Sequence, residues 1–174
     1  AILAAATLIT VIGVLDDLYD LDWTLKLAGQ FGVAGILAWQ GVQIMSLPIA
    51  GITIGSLGIS FVVTVFLTVL VMNAVNFIDG LDWLTVAQFI PVATILIILS
   101  IFAMPTPLVA MIMAPVLGGL IGFAPYNRPI AKLFLGDVGS LPIGLVAGYA
   151  LYRYGASTNL PASLVIALYP LADA

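Results

Sequence analysis

FVVTVFLTVLVMNAVNFIDGLDW, residues 61–83, decides the fold. Its first twelve residues carry no polar group beyond two threonine hydroxyls, which can bond back along a helix; then Asn73, Asn76, Asp79 and Asp82 arrive at intervals of three. A helix crossing about 30 Å of hydrocarbon needs roughly 20 predominantly apolar residues. The stretch therefore reads as a membrane span over about residues 59–77 that emerges into a polar loop.

The same rule divides the rest of the chain into about seven spans, near residues 1–15, 25–45, 59–77, 84–103, 107–124, 140–154, and from 161 onward. Between the second and third, SLPIAGITIGSLGIS is rich in Gly, Pro and β-branched residues, and reads as a short extracytoplasmic hairpin at 47–58. MPTP makes a tight turn between the fourth and fifth. The expected fold is all-α, a polytopic transmembrane helix bundle forming a single domain over residues 1–174. Composition agrees: 63% of residues are hydrophobic, 7% are charged and the mean hydropathy is +1.28. The first residue is Ala, inside an apolar run, and the chain stops inside another, so it reads as a segment of a larger membrane protein. No cleavable signal peptide is recognisable, because the opening run lacks a basic start and leads into DDLYD.

The chain contains no Cys and no His. That excludes thiolate and imidazole chemistry, the usual zinc sites and any disulfide framework. Carboxylates, amides, hydroxyls and a hard metal ion remain. All eight acids are Asp, a poor helix former, which places them at helix ends and in loops.

Alternating the sides of successive spans puts every Asp on one face: Asp16, Asp17, Asp20 and Asp22, then Asp79 and Asp82, then Asp137, then Asp173. Desolvation keeps acids out of the bilayer but does not require them to share a face. Three of the four bases, Lys26, Arg128 and Lys132, fall on that face and Arg153 near the other, so the positive-inside rule makes it cytoplasmic.

Three constellations stand there. In VLDDLYDLDWTLKLAGQ, Asp16 and Asp20 share a helical face, and the adjacent acids of a DD pair cannot both turn into one contact cheaply. A solvated helix end explains such a pair as well as a ligand site does, and Lys26 suits snorkelling to the interface. In FLGDVGSL, residues 134–141, Asp137 lies between two glycines, so that Gly139 and Ser140 begin a helix whose free N–H groups face an anion. Asp137 is either an ordinary N-cap or a carboxylate bridged to a phosphate by Mg²⁺. In the opening motif Asn73 and Asn76 share one face, Asp79 and Asp82 follow at the same interval, and Gly80 lets the chain turn away. An ordinary polar loop has the same look. Hard-metal ligands beside Lys26, Lys132 and Arg128 describe a site that handles phosphate.

DDLYDLDWTLKLAGQ, NAVNFIDGLD and KLFLGDVGSL, in this order between hydrophobic spans, resemble the signature loops of the polyprenyl-phosphate N-acetylhexosamine-1-phosphate transferase family. The resemblance covers almost the whole chain and implies the central block of a ten- or eleven-span enzyme. It implies transfer of a sugar 1-phosphate from a UDP-N-acetylhexosamine to polyprenyl (undecaprenyl) phosphate with release of UMP, the first membrane step of cell-envelope glycan synthesis. The cofactor it implies is Mg²⁺, with Mn²⁺ as a substitute. By the same resemblance Asp137 binds the metal, joined by Asn76. Asp82 reads uracil and Phe134 stacks on it, Lys26 contacts the diphosphate, and Asp16 and Asp17 lie near the lipid phosphate. Asn73 and Asp79 belong to the substrate-binding motif. The expected partners are therefore the UDP-sugar, the polyprenyl phosphate and the bilayer of a bacterial plasma membrane, with no nucleic acid and with a homodimer left open.

A phosphate monoester has its second pKa near about 6, so the acceptor is mostly dianionic at neutral pH, and positioning with electrostatics is expected in preference to general-base catalysis. Two features depart from the family pattern. DGLDWLT stands where DGLDGLA is usual, putting Trp83 in place of a small residue beside the nucleotide motif. The family's His-containing cytoplasmic loop would follow Asp173. Two rival readings are a cation-binding channel or carrier, which explains acids on one face but not FLGDVGSL beside Lys132, and a non-catalytic member of the same family.

Overall fold

The computed structural model describes residues 1–44, 46–47, 52–53, 56–103 and 107–157. Within them lie six helices: α1 (Ile2–Tyr19), α2 (Trp23–Trp39), α3 (Leu57–Ile78), α4 (Leu84–Ala103), α5 (Leu108–Phe123) and α6 (Gly136–Ser157). Between α2 and α3, β1 (Ser46–Leu47) pairs antiparallel with β2 (Ile52–Thr53), Ser46 opposite Thr53 and Leu47 opposite Ile52. The expected hairpin is therefore present, and it closes sooner than expected because α3 already starts at Leu57. The seventh span and Asp173 lie outside the described residues.

α1, α3 and α4 are each long and apolar enough to cross a membrane. Leu3, Leu8, Val11 and Leu15 on α1 and Val62, Phe66 and Leu70 on α3 are exposed, as lipid-facing positions should be. The chain is an integral membrane protein.

α6 holds the bundle together. It packs on α1 and α3 along one side and on α5 and α4 along the other, while α4 pairs with α5 and α2 with α3. Leu141 and Leu145 of α6 enter a core made by α1, α2 and α3, and Ala150 and Tyr154 enter another made by α4 and α5. Two glycines permit the approach. A Cβ at Gly13 would lie 2.5 Å from the Asp137 carbonyl oxygen, and one at Gly144 would lie 2.7 Å from Met72 Cα. With no hydrophobic driving force between helices in lipid, such close contact of backbones is what packs them.

α2 ends at Trp39, short of the expected residue 45, where Gly41 turns the chain at a φ of 85°; three other helix boundaries differ from the sequence expectation, each for a local reason. α1 does not stop at Asp16 but runs to Tyr19, where Asp20 adopts a left-handed conformation (φ 50°) and its N–H bonds the Asp16 carbonyl at 2.8 Å. α2 starts at Trp23, earlier than expected, because Asp22 caps it: one carboxylate oxygen accepts from Thr24 N at 2.8 Å and Thr24 Oγ1 at 2.6 Å. Those bonds hold the Asp22 carboxyl below its ordinary pKa. α6 starts at Gly136, not at Gly139, so Asp137 sits inside its first turn.

The turn after α3 also differs. Gly80 keeps an ordinary conformation and Trp83 takes the left-handed one, at φ 71°. Trp83 thus stands, with its large side chain, where the backbone favours glycine.

Candidate active site

The ends of α1 and α3 and the starts of α2, α4 and α6 meet at one end of the bundle, and all seven Asp of the described residues gather there. Asp16 and Asp17 occupy the last turn of α1 and point to different partners. Asp16 Oδ2 accepts from Lys26 Nζ at 3.2 Å. Asp17 reaches α6, where its Oδ1 accepts from Asp137 N at 3.0 Å and its Oδ2 from Val138 N at 3.1 Å. The free N–H groups at the start of α6 do face an anion, but that anion is a carboxylate from α1. Asp79 completes the arrangement, lying beside Gly136 and accepting from Thr85 Oγ1 at 2.8 Å. Gly136 is required at this point: its φ is 65° and a Cβ there would lie 2.6 Å from Asp17 Oδ2.

Asp137 lies at the centre. Its Oδ2 pairs with Lys26 Nζ, and its Oδ1 accepts from Asn76 Nδ2 at 2.5 Å. The same Asn76 nitrogen lies 2.9 Å from Ser140 Oγ. The Asp16, Asp137 and Lys26 side chains are 15%, 13% and 20% exposed, so the cluster is open enough for a ligand and dry enough for its charges to matter. Burial raises the Asp79 carboxyl to a pKa of about 6, with Thr85 and Gly136 opposing and the nearby Asp137 and Asp17 charges reinforcing the rise. Four carboxylates and one ammonium leave the cluster with excess negative charge.

Could the cluster hold a divalent cation? Asp16, Asp17 and Asp137 each present a carboxylate oxygen within 4.8 Å of the others. Convergent hard oxygen donors at the membrane interface fit Mg²⁺, which takes one or two carboxylates together with waters and substrate phosphate. Asn76 bonds Asp137 through its amide nitrogen and so orients that carboxylate.

The remaining sequence candidates lie to either side. Asn73 points one turn deeper, where it pairs with Gln30 and donates to Val69 O at 2.8 Å. Asp82 belongs to a second assembly, its Oδ2 accepting from Ala131 N at 3.1 Å. There Trp83 N donates to Asn127 Oδ1 at 2.9 Å, Asn127 Nδ2 donates to Leu133 O at 3.2 Å, and the Arg128 guanidinium lies 5.8 Å from the Trp83 ring centre. These bonds strap residues 126–134 onto the 79–83 turn. Phe134, at the end of that strap, is exposed.

Gln30, Thr85, Asn127 and Ser140 are partners that sequence reasoning missed. Three carried a signal: Gln30, Thr85 and Ser140 are polar residues in apolar helices, fully buried. Asn127 offered none, since Asn in a Pro-rich loop needs no partner to be explained.

Comparisons with known proteins point the same way. The profile of glycosyl transferase family 4 matches residues 1–155. A decaprenyl-phosphate N-acetylglucosaminephosphotransferase of Mycolicibacterium smegmatis is 34% identical over 166 residues, covering 86% of this chain and 40% of the relative. A probable undecaprenyl-phosphate N-acetylglucosaminyl 1-phosphate transferase of Bacillus subtilis is 28% identical over 99% of this chain and 50% of its own length. A phospho-N-acetylmuramoyl-pentapeptide-transferase of Carboxydothermus hydrogenoformans is 41% identical over 96 residues, 52% of this chain and 28% of the relative. The chain thus spans half or less of the length of these relatives. All three signature loops fall inside the matched residues and meet at one end of the bundle, and the chain belongs to glycosyl transferase family 4.

Proposed function

We propose that this chain carries the catalytic face of a Mg²⁺-dependent enzyme that transfers N-acetylhexosamine 1-phosphate from a UDP-sugar to polyprenyl phosphate and releases UMP. In the reaction an acceptor phosphate oxygen attacks the sugar-bearing phosphorus, the bond to the bridging pyrophosphate oxygen breaks, and UMP leaves with that oxygen. One observation carries the reading: Lys26 Nζ lies between Asp16 and Asp137 where three carboxylates converge at the end of a membrane bundle. The names of the relatives, which specify transfer of N-acetylglucosamine phosphate to decaprenyl or undecaprenyl phosphate, support the same substrates.

Asp16, Asp17 and Asp137 would hold Mg²⁺, whose charge neutralises the diphosphate as it is cleaved. Asn76 orients Asp137. Lys26 lies next to the carboxylates, placed to contact the diphosphate and stabilise charge on the departing UMP oxygen. Asp17 already receives two backbone N–H groups, one on each carboxylate oxygen, an arrangement that anchors α6. The acceptor phosphate needs no base. Asp82, bonded to Ala131 of the strap, and the exposed Phe134 three residues further along it are the groups by which a uracil would be read and stacked upon. Lys26, Arg128 and Lys132 at this end, against Arg153 toward the other, orient the site to the cytoplasm of a bacterial plasma membrane.

The test is a Mg²⁺-dependent transfer assay on the full-length protein with UDP-N-acetylglucosamine and undecaprenyl phosphate, run beside equilibrium binding of UMP. Transfer abolished by Asp137→Asn supports the reading. A protein that binds cations but neither UMP nor UDP is a channel or carrier, and the reading then fails.

A further inference from the structure

Gln30 is fully buried in α2 and faces α3. Its amide and that of Asn73 bond reciprocally: Asn73 Nδ2 donates to Gln30 Oε1, and Gln30 Nε2 donates to Asn73 Oδ1 at 3.4 Å. Around them the α2 and α3 surfaces are apolar, with Val33, Ala34, Val69 and Met72 in one cluster. Apolar helix faces surrounded by lipid tolerate sliding, because the alternative contacts are equally greasy. Two amides that satisfy each other tolerate very little, since a slip leaves Gln30 Nε2, Gln30 Oε1 and Asn73 Oδ1 without partners, and only Asn73 Nδ2 keeps a bond, to Val69 O on its own helix.

The spacing ties this pair to the site above it. Gln30 follows Lys26 by four residues and Asn73 precedes Asn76 by three, so each amide shares a helical face with a site residue, about one turn away. Lys26 must reach Asp137 on α6, yet α2 packs chiefly on α3 and α1. The height of Lys26 above Asp137 is therefore set indirectly, through the register of α2 on α3. We infer that Gln30 is a positioning residue for the transfer reaction: by pairing with Asn73 it locks that register and holds Lys26 at the Asn76–Asp137 pair. Asn73 then serves the site through Gln30 and does not itself contact substrate. The inference rests on the transferase reading for its consequence in turnover, but not for its geometry.

The experiment uses the full-length protein and three variants: Gln30→Leu, Asn73→Leu, and the exchange Gln30→Asn with Asn73→Gln, which preserves the combined reach of the two side chains. Either single variant should lower kcat at least about 30-fold while moving the KM for the UDP-sugar less than about threefold, and the exchange should restore kcat to within about fivefold of wild type. A merely structural role would lower the melting temperature and the yield of active protein without that kcat-selective loss and rescue. A separate readout needs no activity. Lys26→Cys and Asp137→Cys, introduced with any cysteine outside residues 1–174 replaced by serine, since these residues contain none, should be bridged by a short bis-thiosulfonate at a rate that falls at least about tenfold when Gln30→Leu is added. A kcat within threefold of wild type in Gln30→Leu, no rescue by the exchange, or an unchanged bridging rate overturns the positioning role. If wild type shows no transfer, the transferase reading fails by itself, and the bridging rate still decides the register.

Discussion

The two ends of the bundle solve the same structural problem with different chemistry. At the hairpin end, helix termini and connections are satisfied by neutral groups: Ile44 N donates to Thr64 Oγ1 at 2.8 Å, Ser60 Oγ donates to Ile44 O at 2.7 Å, and the Tyr152 hydroxyl donates to Gln43 O. At the other end Asp17, Asp79 and Asp137 meet at the start of one helix beside Lys26. Neutral bonds suffice to finish helices in this protein, so the charge at the second end exceeds what the fold needs. That surplus marks the site.

The largest effect expected separates the ends outright. Asp137→Asn should cost about 10³-fold or more in transfer, the order found when a group that stabilises the transition state is removed. Ser60→Ala should cost about 1 kcal/mol of stability and leave turnover within about twofold, as read from initial rates and thermal unfolding in the same detergent. Equal losses of turnover from both variants would erase the distinction between a functional and a structural end.

Next in size is the tightest piece of backbone at the charged end. Gly136→Ala forces a side chain onto a left-handed backbone and drives its Cβ toward Asp17 Oδ2. The strain alone is worth about 1–3 kcal/mol, and relief requires Asp17 to let go of α6. Thermal unfolding should show the loss, and a variant as stable as wild type would mean that Asp17 does not depend on Gly136.

Lys26 occupies the space between carboxylates that a cation would share, which gives its removal two opposite consequences. Lys26→Met should impair transfer, yet tighten Mn²⁺ binding in the substrate-free protein by about tenfold, or about 1.4 kcal/mol, because Asp16 and Asp137 lose a competing positive charge. Titration followed by electron paramagnetic resonance measures it. Weaker Mn²⁺ binding in the variant would show that the ammonium assists the metal site.

Much of this arrangement was legible in the sequence, and the part that was not is specific. The bounds of α3, α4 and α5 follow from apolar length alone, since hydrocarbon thickness fixes how long such runs must be. The convergence of Asp16, Asp17, Lys26, Asn76, Asp79 and Asp137 follows from alternating the sides of the spans. Which atom meets which does not follow. Asp17 caps a helix that begins 119 residues later, and local capping rules, which look a few residues ahead, do not anticipate a cap supplied by another helix. For the same reason α6 could be expected to start at Gly139, where the local pattern puts it, rather than at Gly136, where Asp17 caps the start.

Asp79 gives the charged end a pH dependence near neutrality. Its folded pKa of about 6 lies above the ordinary 3.8, so the folded state binds the proton more tightly than the unfolded state does. The resulting stabilisation is fully present below pH 3.8 and is lost as pH rises through about 6. In chelator, to exclude metal, the melting temperature of wild type relative to Asp79→Asn should therefore fall between pH 4 and pH 7. A difference that stays constant over that range would contradict the buried, proton-holding carboxyl.

The smallest effect concerns Trp83, and it is small because two contributions oppose each other. Its left-handed backbone costs about 1–2 kcal/mol relative to glycine. Against that, the indole lies beneath Arg128, an interaction worth about 0.5–1 kcal/mol at a partly exposed site, and its N–H to Asn127 is a backbone bond that any residue keeps. Trp83→Gly should therefore change stability by no more than about 1 kcal/mol in either direction. Trp83→Ala loses the same indole without relieving the backbone, and should be less stable than Trp83→Gly by about 1 kcal/mol. That difference isolates the backbone cost, since the side-chain loss is nearly common to both. Equal stabilities for the two variants would mean that the turn relaxes out of the left-handed region once the indole is gone, so that Arg128 and Trp83 together, and not the chain connection, impose the conformation beside Asp82.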